Sequence, residues 1–268
     1  MSNYTGFPKG KFMMHNWITV GLGLVALAVY AMTLSYGVYP GESAQLTAQA
    51  AGLDSASLPL HPIWSWLIGK IASVQFMDIA VRLNLFSMLC TVFSGMLLYR
   101  IMSFFVKDII IEEYSVEYSE RTAMLAGAVT TVAYLFSMPV WQSATRLQYQ
   151  SFDMLLLFSS VTALMLYARR PGFLPFMLFV LLYGAGLAES PMFFAVSPII
   201  GGLIIYILYK NSMWSVKRAA AFLFAIVFIG LLGYYLSCRS FFLAHGADFN
   251  FTGWTDVFRQ VLRSHVKE

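Results

Sequence analysis

Six ionisable side chains stand in or beside long apolar runs: Glu42, His61, Arg82, Arg146, Asp153 and Glu189. A charged group at membrane depth is costly, so each is a candidate for substrate contact. Glu42 lies in Tyr39-Pro40-Gly41-Glu42-Ser43-Ala44-Gln45, where a Pro-Gly turn delivers a carboxylate to the end of a hydrophobic run. A carboxylate so placed can take a proton from an acceptor hydroxyl, or simply cap the next helix. Arg146, in Trp141-Gln142-Ser143-Ala144-Thr145-Arg146-Leu147-Gln148-Tyr149, has a planar fork that suits a phosphate, or that snorkels toward lipid phosphates. Glu189 precedes Ser190-Pro191 and either binds a sugar hydroxyl or caps the helix that starts at Pro191. Arg82 and Asn84 open another apolar run, within reach of pairing with Asp78 or Glu42, and His61-Pro62 opens an amphipathic stretch in which a lone histidine is more often structural than catalytic.

The elements that must position these groups follow from composition. Of 268 residues, 59% are hydrophobic and 11% charged, against about 25% charged in an ordinary soluble domain. The apolar residues gather at about 15–37, 82–105, 122–141, 150–168, 173–188, 190–210 and 217–240, near the roughly 20 residues needed to cross about 30 Å of hydrocarbon. Backbone amides in lipid must be satisfied within their own segment, and no stretch alternates like a barrel strand, so these runs are expected to be helices. The fold class is all-α, a polytopic transmembrane bundle of about seven spans, read as a single transmembrane domain over 1–268. Lys9 and Lys11 precede a first run too long for a cleaved leader, which reads as a signal anchor.

With the N-terminus cytoplasmic, ten Lys and Arg fall on the inner side and seven on the outer, and the tight turn Arg169-Arg170-Pro171-Gly172 falls inside. The positive-inside rule then puts the C-terminus outside and gathers the six candidates at the external end. Lys107 to Arg121, rich in Asp and Glu, becomes an inner connection. The first external loop, 38–80, carries an amphipathic piece from His61 to Phe76 whose Trp64, Trp66, Leu67, Ile68 and Ile71 are suited to a membrane surface. An external tail, 241–268, sets Trp254, Phe258, Val261 and Leu262 at helical spacing, while Trp141 and Tyr149 read as interfacial aromatics.

The net charge of +4 is scattered rather than gathered in a basic stripe, which argues against nucleic acid as a partner. Cys90 and Cys238 fall within or at the end of apolar runs as small core residues. The sequence has no phosphate-binding glycine loop, nucleophile elbow or metal-spaced histidines, so no cofactor or metal is expected.

The order of features resembles the GT-C class of polyprenyl-phosphate-sugar-dependent glycosyltransferases, specifically a protein O-mannosyltransferase-like bacterial membrane family described as a domain of unknown function. That family reads aromatic-Gly-Asp-Ser-Gly-Glu in its first external loop, then His-Pro-Pro-Gly, then an Arg-Val-Asn-Leu-like span opening, then Trp-Ser-Gln-Ala running to Glu-Val-Tyr. The counterparts here are Gly41-Glu42-Ser43-Ala44-Gln45, His61-Pro62, Arg82-Leu83-Asn84-Leu85, and Trp141-Gln142-Ser143-Ala144 with Gln148-Tyr149. The Trp254, Phe258 and Val261-Leu262-Arg263 pattern of the tail is similar to a later external loop of the family.

The resemblance implies an inverting transferase with Glu42 as catalytic base, a lipid-phosphate sugar held by Arg146 and Arg82, and His61, Gln148 and Glu189 in substrate binding. The family's aspartate is Glu42 here, and its glutamates correspond to Gln45 and Gln148, which cannot act as bases. Two forms of that reading therefore stand, an active transferase module and a degenerate relative that keeps the fold. Family members usually run on with further spans and a soluble region, so the chain reads as the N-terminal membrane module or a shortened relative. The alternative from another class is a non-catalytic membrane scaffold or lipid-binding subunit of an envelope complex. The expected partners are membrane lipid and a polyprenyl-phosphate sugar, with the protein acceptor open, and the expected location is the bacterial inner membrane.

Overall fold

The computed structural model describes residues 9–54, 61–110, 115–210 and 215–244, with 253, 255–257, 259, 260 and 263. Trp254, Phe258, Val261 and Leu262 of the tail, and Glu112 and Glu113 of the acidic connection, lie outside the described residues. Among the described residues the secondary structure is helical throughout: α1 (Lys9–Thr33), α2 (Glu42–Ala50), α3 (Pro62–Ser73), α4 (Ile79–Ile110), α5 (Val116–Leu135), α6 (Met138–Thr145), α7 (Gln150–Arg169), α8 (Phe173–Glu189), α9 (Pro191–Lys210) and α10 (Val216–Ala244).

Five of these are long and apolar enough to cross a membrane: α1 over Met14–Thr33, α4, α7, α9 and α10 over Ala219–Leu236. A sixth crossing results if α5 and α6, bent by 63°, form one span. The remaining apolar stretch, 173–188, becomes α8, whose 17 residues rise about 26 Å at 1.5 Å per residue, a little short of the hydrocarbon thickness. The protein is therefore a polytopic helical membrane protein with five or six candidate crossings, where apolar length alone suggested about seven.

The chain divides into two compact units, one of Met1–Ser43 with Ala80–Phe158 and one of Ala44–Ile79 with Ser159–Glu268. In the first unit, Ala26 and Tyr30 lie one turn apart on α1, and Leu34 follows just beyond its last residue. All three are buried with Met88 and Val92 of α4, Leu135 of α5 and Ala144 of α6. Gly95 permits the close approach of α4 to α5, because a Cβ there would sit 2.6 Å from Leu135 Cδ2.

The break between α5 and α6 has a covalent cause. Pro139, in the first turn of α6, has no N–H to offer the carbonyl four residues earlier, and its ring would clash with it. That carbonyl belongs to Leu135, where α5 ends, and it accepts instead from the buried Tyr30 hydroxyl. Tyr30→Phe is expected to orphan this carbonyl and destabilise the first unit by about 1–3 kcal/mol. Thermal unfolding of the purified protein measures it, and an unchanged midpoint would remove the role.

In the second unit, α8 packs against α3, α9 and α10. Close approach is again built on glycine: a Cβ on Gly184 would meet Ile229 of α10 at 2.7 Å, and one on Gly186 would fall within the Phe193 ring of α9. The amphipathic segment divides its aromatics differently from a surface-lying helix. Trp64 and Ile68, one turn apart on α3, are 2% and 3% exposed, whereas Trp66 is 62% exposed. The apolar face of α3 is thus covered by protein, and Trp66 is left outward.

Candidate functional site

One end of the first unit is assembled from four pieces of chain. Beyond the C-terminus of α1, the Ser35 amide donates to the Thr145 carbonyl at 3.1 Å, satisfying one of the carbonyls left open at the end of α6. Asn84, buried in the first turns of α4, donates its side-chain amide to the Ser35 carbonyl at 2.8 Å. The Gln148 amide, ahead of α7, donates to Ser87 Oγ at 3.4 Å. These bonds hold the segment after α1, the start of α4 and the α6–α7 connection together.

Arg146 is the C-cap of α6, in extended conformation. Its Nε donates to the Gln142 carbonyl at 3.3 Å, and its guanidinium lies 4.1 Å from the centre of the Tyr39 ring. A guanidinium over an aromatic face is attracted by the ring quadrupole, which holds it in place. Tyr39 stands three residues before Glu42, which is the exposed first residue of α2 and follows Gly41 at φ 90°. Only glycine adopts that left-handed backbone without strain, so Gly41 sets the direction in which the carboxylate leaves the turn. Arg82, half-buried in the first turn of α4, and Gln148, half-buried, lie at the same end of this unit. Asp153, on the first turn of α7, is 3% exposed.

Trp141 is partly buried. Its ring meets Tyr30 edge-on at 5.9 Å and packs beside Phe136, so it belongs to the wall that carries α6.

The second unit holds His61 and Glu189. Glu189 is 1% exposed, and its two carboxylate oxygens accept from the Ile63 and Trp64 amides at 2.8 and 2.9 Å. It therefore caps α3, some 125 residues away in sequence. His61, the N-cap of α3, has φ 48° ahead of Pro62. Its carbonyl accepts from the Ser65 amide at 2.8 Å, and a ring nitrogen lies within 4.8 Å of a Glu189 carboxylate oxygen.

The sequence reading missed two partners. Tyr39 as the platform for Arg146 carried a faint signal, an aromatic just before the Pro-Gly turn. Ser35 as the tie between α1, α4 and α6 carried none, because its role is played by backbone atoms.

No curated protein and no solved structure matches the chain. The protein O-mannosyl-transferase TMEM260 N-terminal domain matches residues 43–216, taking in His61, Arg82, Arg146, Gln148 and Glu189 and starting one residue after Glu42. With well over half its length covered by that match, the chain belongs to the protein O-mannosyl-transferase TMEM260 N-terminal domain family.

Proposed function

We propose that this chain is a glycosyltransferase module of GT-C architecture that moves a sugar from a polyprenyl-phosphate donor to a hydroxyl on a protein acceptor. The observation that carries the reading is the Arg146 guanidinium stacked on Tyr39, beside the turn that leads to Glu42. A fixed cation and a carboxylate at one end of a helical unit are the two groups that sugar transfer from a phosphate requires. Arg146, helped by Arg82, holds the donor phosphate and stabilises the charge that grows on it as it leaves. Glu42 accepts the proton of the acceptor hydroxyl while its oxygen attacks the anomeric carbon and the bond from that carbon to the phosphate oxygen breaks. The products are an inverted glycoside and the free polyprenyl phosphate. Gln148 supplies hydrogen bonds to the donor.

On this reading α5 with α6 forms one span and the short α8 crosses as well, so the chain is one transmembrane domain of seven crossings in a bacterial inner membrane, with the N-terminus inside and 38–80 and 241–268 outside. Purified protein is expected to transfer mannose from polyprenyl-phosphate mannose to a Ser/Thr peptide, and no transfer to any hydroxyl acceptor from any polyprenyl-phosphate sugar would overturn the activity. The topology has its own check. Single cysteines introduced at 42 and 146 are expected to react with an impermeant maleimide in intact cells, while a cysteine at 170 stays protected. The native thiols do not interfere, since Cys90 and Cys238 are buried. Labelling of 42 and 146 on opposite faces would remove the site.

A further inference from the structure

The turn between α7 and α8 encloses an open cleft of about 330 Å³ walled by Tyr167, Pro171, Phe173, Phe176, Ala221 and Phe222. Its rings are set edge to face, Phe176 on Phe222 at 4.6 Å and Tyr167 on Phe222 at 5.3 Å, which fixes the wall. The volume is at the lower end of the ~300–1,000 Å³ typical of small-molecule pockets, enough for part of one flexible chain. The rim differs from the wall. Arg170, exposed, directly precedes Pro171, and Arg169, also exposed, ends α7. Lys217, exposed, is four residues before Ala221, so the two share a face of α10 one turn apart. From 159 to 244 the sequence contains a single carboxylate, Glu189. It ends α8, about 24 Å of helix rise from Phe173 at the start of that 17-residue helix.

We propose that this cleft binds one anionic phospholipid, with an acyl chain against the aromatic wall and the phosphate on Arg170 and Lys217. The wall is apolar, which disfavours a sugar or nucleotide. The rim is cationic, and the 159–244 stretch that supplies it carries no carboxylate but Glu189, which favours a negative headgroup over a zwitterionic one. Phe173 and Leu174, 78% and 77% exposed next to Arg170, give the lipid-facing surface from which a chain enters. The site is independent of sugar transfer, since it shares no residue with Glu42, Arg146, His61 or Glu189.

Native mass spectrometry of the full chain, released from micelles containing equimolar phosphatidylglycerol and phosphatidylcholine, tests it. One phosphatidylglycerol is expected to be retained over phosphatidylcholine by about 25-fold, with about fivefold lost for each cation removed. Arg170→Ala with Lys217→Ala abolishes the preference, and Ala221→Phe, which fills the cleft and keeps the charges, lowers retention of both lipids. Equal retention of the two lipids by the wild type overturns the proposal, as does an unchanged preference in the double variant or unchanged retention in Ala221→Phe. Displacement of phosphatidylglycerol by millimolar inorganic phosphate also overturns it, because the site would then read a free anion and not a lipid.

Discussion

Arg146→Ala is expected to lower sugar transfer by about 10²–10³-fold, the loss that follows removal of one preorganised group from a developing oxyanion. Arg146→Lys should recover part of that loss. It restores the charge without the planar fork that lies on Tyr39 at 4.1 Å. Glu42→Gln keeps size and hydrogen-bonding capacity but cannot accept a proton, and a fall of about 10²–10⁴-fold is expected. The two changes act on one transition state, so the double variant should lose less than the product of the single losses. Tyr39→Leu separates positioning from chemistry: it removes the platform and leaves the cation, with an expected cost of about 0.5–2 kcal/mol in transfer. Initial rates with polyprenyl-phosphate mannose, read beside size-exclusion profiles to confirm folding, make the measurement. Transfer unaffected by Arg146→Ala and Glu42→Gln would strip both residues of their roles and leave the family fold without this mechanism.

Helix positions were readable because a membrane chain writes them as apolar length. The stretches at 82–105 and 150–168 reappear inside α4 and α7, and 190–210 becomes α9 to within one residue. Length was a poor guide at 122–141, where Pro139 cuts the run and turns it through 63°. The proline was visible, but the consequence depends on Tyr30, 105 residues away, accepting the role of donor to Leu135. Without that hydroxyl a buried carbonyl would be orphaned. The bend then matters for the candidate site, since it directs α6 so that its C-cap, Arg146, reaches Tyr39.

Charged residues were legible as candidates and illegible as partners. Glu189 could be read as a cap from its place before Ser190-Pro191, yet the helix it caps is α3. Nothing in local spacing encodes a contact made by packing α3 on α8. The same holds for Trp64, whose amphipathic pattern is equally compatible with lipid or protein as the cover, and which proves 2% exposed.

Glu189→Ala is expected to be the most destabilising of the single changes at the candidate residues. The reason lies in what α3 lacks at its start. Pro62 at the first position has no N–H, so the first open donors are Ile63 and Trp64, and one carboxylate takes both. Glu189 also ends α8, where its charge faces the negative pole of its own helix. The positive pole of α3 offsets that cost, which ties the two helix ends to each other. Truncation leaves two amides without an acceptor, one of them on the buried Trp64, and a loss of about 2–4 kcal/mol follows. Glu189→Gln retains a single acceptor oxygen and should lose roughly half as much. Thermal unfolding in detergent gives the energies, and amide hydrogen exchange gives the location: faster exchange is expected at Ile63 and Trp64 ahead of the rest of α3. His61, held at φ 48° immediately before this cap, should lose its fixed backbone in the same variants. Transfer should therefore fall in Glu189→Ala through KM before kcat if His61 contacts substrate, whereas a melting temperature and exchange pattern matching wild type would show that α3 is held by other means.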